Sequence, residues 1–240
     1  MHSPFVFDFI RKVLNNGNNY QAPIEVEQLR KQLLSDHRIL EIEDFGAGSR
    51  ISTSKKRTIA EVVRTAVKSK RLAQVLFRLV KHYQLNTIVE LGTSLGITSS
   101  YFSKANPGSV IHTIEGSSSI ASIAKENFQK LDCSNIQIMH GKFDDVLPSV
   151  FAGLSSLDLA YVDGNHRYQP TINYFQQFLP RLNDQSILVF DDIHWSYEME
   201  QAWEEIKAHP SVKYTVDIFF LGFVFFRDEF RVKQHFSVRF

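Results

Sequence analysis

The residues with the most chemistry to offer end two apolar runs in the second half of the chain. Leu157–Val162 leads into Asp163-Gly164-Asn165-His166-Arg167-Tyr168, and Ser186–Phe190 leads into Asp191-Asp192-Ile193-His194-Trp195. If these runs are neighbouring strands, three carboxylates converge, and like charges brought together need something to offset their repulsion. Asp163, Asp191 and Asp192 are therefore candidate ligands for a hard, oxygen-seeking ion such as Mg²⁺, which would lower the pKa of a bound hydroxyl. His166, three residues after Asp163, is a candidate base for that hydroxyl's proton, because imidazole exchanges protons near neutral pH. The plainer alternative makes the aspartates caps of the helices that follow the strands. His194 and Trp195 are candidate acceptor contacts. Against that, Ser196 behind them reads as a helix N-cap, and tryptophan more often sits in a core.

A second group of residues suits a nucleotide-like ligand. The run Thr87–Val89 passes into Glu90-Leu91-Gly92-Thr93-Ser94-Leu95-Gly96. Gly92 allows the backbone to turn and approach a ligand, and the helix expected next offers amide N–H groups to it. The spacing is G-x-x-x-G with Ser94 where a dinucleotide fingerprint needs glycine, which disfavours a nicotinamide-dependent dehydrogenase. Glu115, followed by Gly116, ends the next apolar run, 25 residues beyond Glu90. A carboxylate there is placed to take two ribose hydroxyls, the alternative being a solvated surface glutamate. After a third run, Phe143 and Asp144 could flank and hydrogen-bond an adenine.

These groups need a scaffold that puts strand ends together. Five β-branched runs, TIVEL, VIHTIE, NIQIMH, LDLAYVD and SILVFDD, alternate with segments of helical spacing. That alternation predicts an α/β fold, a doubly wound parallel sheet covered by helices on both faces, with ligands beyond the carboxyl ends of the strands. Two more runs, Val212–Val216 and Phe219–Arg227, are joined too closely for a crossover, around Gly222, so the last strand should be antiparallel and the sheet seven-stranded. Ahead of the sheet, helical spacing covers 4–15, 24–37, 58–68 and 71–83, while 41–57 has no sustained period and reads as a loop. The expected organisation is residues 1–85 as N-terminal helices and a lid loop, packed as a cap on a core of residues 86–240, the two forming one structural domain.

Composition agrees with an ordinary globular protein: 240 residues, 43% hydrophobic and 22% charged. A lone Cys133 leaves no internal disulfide and no cysteine-rich zinc cage. Asp8 and Arg11 bracket the first apolar run, unlike a secretory leader, so a cytoplasmic protein is expected. The tract Ile218–Phe226 is too short to span a bilayer; it reads as a buried strand, with a homodimer contact as the alternative. A net charge of +1 gives no global pull toward nucleic acid. The basic segment 50–71 nevertheless keeps a non-catalytic nucleotide- or RNA-binding protein as a rival reading.

Over residues 86–227 the constellation resembles the class I S-adenosylmethionine-dependent methyltransferases of Rossmann-like fold. Within them it looks most like the metal-assisted O-methyltransferases, the catechol type and the sugar and antibiotic enzymes. The resemblance implies that Glu90, Gly92, Thr93, Ser94 and Gly96 surround the methionine part of S-adenosylmethionine. It puts Glu115 and Gly116 at the ribose, and Phe143 and Asp144 at the adenine. Asp163, Asp191 and Asp192 fall on the metal-binding carboxylates, with Asp163 also beside the cofactor. The catechol type has Asn where Asp192 stands and Lys where His166 stands, so the base is reassigned to His166. The implied reaction is methyl transfer to a hydroxyl oxygen of a small-molecule acceptor. The Asn/Asp-Pro-Pro-Tyr type of motif found in amino methyltransferases is absent after the fourth strand.

One stretch remains, Asp44-Phe45-Gly46-Ala47-Gly48-Ser49-Arg50. It carries a kinase-like triplet, but no kinase catalytic loop or glycine-rich strand pair accompanies it. Residues 44–57 are instead expected to close over the sheet's carboxyl edge and bring Arg50 or Lys55 to an anionic acceptor or to the cofactor's carboxylate.

Overall fold

Local signals set the N-terminal helices. In the computed structural model, which describes residues 3–18, 20–43 and 56–240, Ser3 caps α1 (Pro4–Phe9), and a π-helical turn, Ile10–Leu14, prolongs it. α2 spans Gln21–Leu33, with Pro23 in its first turn, where a missing N–H costs nothing. Thr58 and Glu61 form a reciprocal capping box at the start of α3 (Ile59–Ala66), the Glu61 amide donating to Thr58 Oγ1 at 3.2 Å and the Thr58 amide to Glu61 Oε2 at 2.7 Å. Ser69 caps α4 (Lys70–Tyr83). The sequence reads 41–57 as loop, yet its ends pair as an antiparallel ribbon, β1 (Ile39–Glu41) with β2 (Lys56–Thr58). Strands of three residues carry too little periodicity to be read from sequence.

From Thr87 the chain alternates strand and helix. In order come β3 (Thr87–Leu91), α5 (Ile97–Ala105), β4 (Val110–Glu115), α6 (Ser118–Lys130), β5 (Ile136–His140) and α7 (Phe143–Ala152). They are followed by β6 (Leu157–Val162), α8 (Tyr168–Phe178), β7 (Leu182–Asp191), α9 (Tyr197–Ala208), β8 (Tyr214–Asp217), β9 (Leu221–Phe225) and β10 (Gln234–Ser237). The sheet order is β10-β8-β9-β7-β6-β3-β4-β5. β3 pairs in parallel with both β4 and β6, so successive crossovers leave it in opposite directions and the strand ends diverge there. This is the switch point at which such sheets bind ligands. β9 is antiparallel to both β7 and β8, as the short connection requires.

Two corrections concern the sheet's far edge. It has eight strands rather than seven, because β10 adds in parallel to β8; its residues QHFS are mostly exposed and show no apolar run. Gly222 does not make the hairpin turn, which is Ile218–Phe220. It lies within β9, where a Cβ would come within 2.7 Å of the Trp203 indole.

Each central strand is buried on both faces, and alternate residues feed two cores. Ile88, Leu159, Tyr161, Ile187 and Val189 pack with α1, α2, α4, α5 and α6. Val89, Ala160, Val162, Leu188 and Phe190 pack against α7, α8 and α9. The N-terminal helices thus belong to one face of the sheet, and the α3–α4 linker reaches the carboxyl edge. Among the described residues, no helix is long and apolar enough to cross a membrane.

Candidate active site

A cavity of about 660 Å³ opens at the switch point, beyond the carboxyl ends of β3 to β7. Its volume is typical of small-molecule sites. The glycine loop after β3 forms one wall. Gly92 has φ +100°, and a Cβ there would lie 2.0 Å from the Asp163 carbonyl oxygen, so the two strand ends meet backbone to backbone. Gly96 has φ +76° and backs onto the Phe128 ring. Between them Ser94 adopts φ +47°, the left-handed conformation a second glycine would take. The loop is held from behind: Asn127 Nδ2 donates to the Leu95 carbonyl at 2.9 Å, and the Ser94 amide donates to Glu115 Oε2 at 2.8 Å.

Glu90 lies beneath this loop rather than on the cavity wall. It is fully buried, its Oε2 accepts from Ser99 Oγ and from Thr113 Oγ1, and Thr113 pairs with Thr93 at 2.6 Å. Burial pushes the Glu90 carboxyl up to about 8, against the pull of those two hydroxyls. Glu115 ends β4 at the cavity, where the Ser94 and Ser117 amides each bond one of its oxygens. Burial raises its pKa as well. Gly116, Phe143 and Asp144 line the same cavity, and the Phe143 ring fills the space a Cβ on Gly164 would need.

The opposite wall carries the acids. Asp163, His166 and Asp191 each offer a ligand atom, all lying within 4.8 Å of one another. The buried Tyr161 hydroxyl donates to Asp163 Oδ2 at 2.9 Å, and His166 Nε2 lies 3.7 Å from Asp163 Oδ1. Asp192 lines the cavity but falls outside that three-residue cluster, its φ of +52° turning the chain away.

A residue that the sequence reading places only in the basic segment 50–71, not in the site, completes the group. Lys68, in the α3–α4 linker, reaches Asp191 Oδ2 directly and Asp163 Oδ2 at 3.9 Å, with its side chain 12% exposed. Burial lowers the Lys68 pKa, but the charges of Asp163, Asp191 and Asp192 outweigh it and hold the ammonium well above its usual range. Burial also raises Asp163, and there the charges of Lys68 and His166 prevail and keep it low. Asp191 goes the other way, pushed up by burial and by the Asp163 charge. In the sequence, Lys68 is one of the basic residues of the 50–71 segment that keeps the nucleotide- or RNA-binding reading, and only Ser69 beside it, as N-cap, marks the place as a helix entry.

Trp195 and Phe220 line the cavity mouth. His194 does not face the cavity. Its Nε2 lies 2.8 Å from Asp217 Oδ2, its ring stacks on Phe219, and it borders a separate surface groove beside α9. Ser196 caps α9, accepting from the Met199 amide at 3.3 Å. Trp203 is core. Arg50 and Lys55 lie outside the described residues, although Glu43 and Arg57, just beyond that segment, line the cavity.

Comparison with known proteins agrees with this geometry. A family described as "Methyltransferase domain" matches residues 89–193. Protein R132 of Acanthamoeba polyphaga mimivirus is 30% identical over 91 residues, 35% of this chain and 41% of that protein. Protein y4gI of Sinorhizobium fredii is 26% identical over 144 residues, 53% of this chain and 16% of that one. The chain therefore spans less than half the length of these curated relatives. Among solved structures it resembles Podospora anserina methyltransferase PaMTH1 bound to SAH, with TM-score 0.65 and 12% identity, covering 95% of this chain and 97% of that one. It also resembles an O-methyltransferase from Bacillus cereus in complex with SAH, with TM-score 0.61 and 17% identity, covering 92% and 97%. A third is the O-methyltransferase TomG from Streptomyces achromogenes in complex with SAM, with TM-score 0.62 and 15% identity, covering 93% and 95%. Residues 89–193 thus match a methyltransferase domain, and the chain as a whole shares the fold of these SAH- and SAM-bound structures.

Proposed function

We propose that the protein transfers a methyl group from S-adenosylmethionine to a hydroxyl oxygen of a small-molecule acceptor. The observation that carries this is a single cavity joining the glycine loop, Glu115 and Phe143 to the Asp163–His166 pair. The cofactor's residues fit the group. The turn at Gly92 has no room for a side chain, Glu115 presents a carboxylate for ribose hydroxyls, and Phe143 and Asp144 stand where an adenine would lie. When bound, the cofactor supplies an electrophilic methyl on a sulfonium whose departure as a thioether needs no acid. What the chain must add is acceptor positioning and removal of one proton. His166 is the base, oriented by Asp163, which the Tyr161 hydroxyl holds in turn. Trp195 and Phe220 at the mouth give the acceptor's apolar part a surface to lie on.

A divalent ion fits the same residues less well. Asp191 Oδ1 is buried without a partner among the described residues, as a waiting ligand would be. But Asp191 Oδ2 is taken by the Lys68 ammonium, and the third donor of the cluster is an imidazole nitrogen. Mg²⁺ prefers an octahedron of oxygens, and Asp192 does not join the cluster to supply one.

Calorimetric titration of S-adenosylmethionine and its demethylated product into the protein tests the reading. The expected result is micromolar binding of both, weakened about 10- to 100-fold in Glu115→Ala, the usual size of a lost hydrogen bond to a charged group. Absence of binding by either cofactor form would remove the reading. Acceptor identity then comes from screening hydroxylated small molecules for formation of the demethylated product.

A further inference from the structure

Lys68 is a charged group of the cavity wall, set against the acids, that neither the sequence motifs nor the cofactor site accounts for. Its position is built. The linker it occupies follows the C-terminus of α3 and is pinned by Ser69, whose side chain caps α4 and whose carbonyl accepts from the Ala73 amide at 2.9 Å. A lysine drawn from water into a cavity wall is costly unless opposite charge meets it. Here it meets carboxylates from the ends of two adjacent strands, Asp163 after β6 and Asp191 of β7, with Asp192 next along. An ammonium has three N–H donors. Asp191 Oδ2 takes one, and Asp163 Oδ2 at 3.9 Å is an ion-pair contact beyond hydrogen-bond reach, so the ammonium keeps donors for a ligand in the cavity that Lys68 lines.

We propose that the Lys68 ammonium takes the place of a divalent cation in this protein: it offsets the Asp163–Asp191 charge and holds the acceptor oxygen beside His166, so that methyl transfer requires no metal. This inference rests on the methyltransferase reading of the site. The acceptor hydroxyl gives its proton to His166 and its oxygen lone pair forms the C–O bond to the methyl carbon. The C–S bond breaks, and sulfur keeps that electron pair as a neutral thioether. A single positive charge held by three nearby carboxylates leaves the cluster no surplus positive charge, which suits a neutral hydroxylated acceptor rather than a phosphorylated one.

The test is Mn²⁺ binding to the full chain, followed by electron paramagnetic resonance, alongside calorimetry of the demethylated cofactor in Mg²⁺ and in EDTA. Wild type should leave millimolar Mn²⁺ essentially free and bind the demethylated cofactor equally well with and without EDTA. Lys68→Met, which removes the charge and keeps the length, should bind Mn²⁺ at least about tenfold more tightly, because buried carboxylates that lose their counter-charge need another. That gain should vanish in Lys68→Met combined with Asp191→Asn. Micromolar Mn²⁺ binding by wild type that is lost in Asp191→Asn would overturn the proposal. So would a folded Lys68→Met that remains blind to Mn²⁺. If Lys68→Met does not fold, the wild-type titration still decides. Loss of demethylated-cofactor binding in every preparation would strike the methyltransferase reading instead, and the two failures are read from separate signals.

Discussion

Gly92 shows how far one position can constrain a site. Its φ of +100° is open to glycine and strained for other residues, and the atom a Cβ would strike is the backbone oxygen of Asp163, 2.0 Å away. A flexible side chain could move aside; the end of a central strand cannot. Gly92→Ala is therefore expected to cost about 1–3 kcal/mol of stability, the range for backbone strain and overpacking. It should also weaken binding of the demethylated cofactor more than tenfold, since each 1.4 kcal/mol at the site is a factor of ten. Thermal melts with and without ligand measure both effects. Gly17→Ala, where nothing lies within 4 Å of the added carbon, is the matched control and should leave both unchanged. Had Gly92→Ala behaved like that control, the close approach of the two strand ends would not be what shapes the loop. At Ser94 the same backbone demand is met without glycine, and Ile97 stands where the third glycine would fall, so a fingerprint search for G-x-G-x-x-G passes over this loop.

At the scale of elements, the glycine loop stands on a buried polar network that ties β3, β4 and α5 together through Glu90, Thr113 and Ser99. Glu90 is a buried carboxyl with a folded-state value near 8, and an unfolded glutamate ionises near 4.3. Between those two values the folded protein keeps a proton that the unfolded chain releases, so this group's contribution to stability is full below about pH 4 and is lost as pH rises toward 8. Glu90→Gln preserves the shape and cannot ionise. Its stability relative to wild type should rise steadily from pH 5 to pH 8, by as much as about 4 kcal/mol at about 1.4 kcal/mol per unit. Urea unfolding of both proteins at three pH values checks this. Parallel pH profiles would mean that Glu90 stays ionised in its burial. The strands of this network were legible because runs buried on both faces are continuous and β-branched, and their polar ends fell on the cavity because parallel sheets place strand ends together. Other elements left no such trace. β10 is polar and pairs at an edge, the β1–β2 ribbon is three residues a side, and Lys68 among its basic neighbours gives no hint of which lysine turns inward. That choice is made by the packing of α3 and α4 on the sheet, which no local pattern records.

Over the whole molecule, the open matter is whether the N-terminal helices are an appended layer or part of the sheet's own core. The contacts favour the second. Phe9 of α1 is fully buried, its ring 5.1 Å from Phe223 and 5.6 Å from Phe225 of β9, and Phe5 packs edge-on against Phe225 at 4.9 Å. Arg78 of α4 in turn donates to the Val13 and Leu14 carbonyls that end the first helix. We propose on this basis that residues 1–85 and 86–240 unfold as one cooperative unit. Phe9→Ala should then destabilise the entire protein by about 3–5 kcal/mol, the usual loss for a buried phenylalanine, and lower the melting temperature by roughly 6–20 °C at 2–4 °C per kcal/mol for a chain of this size. Two probes can follow the change independently. Far-ultraviolet circular dichroism reports helices in both segments, while Trp195 and Trp203 both lie within 86–240, so fluorescence reports the second segment alone. One domain requires the two curves to coincide in wild type and in Phe9→Ala, displaced together. A dichroism loss that precedes the fluorescence change, widening in Phe9→Ala, would instead show the helical layer melting off a sheet that stands without it. In that case the α3–α4 linker carrying Lys68 would leave the site with it, because the helices that anchor the linker belong to that layer.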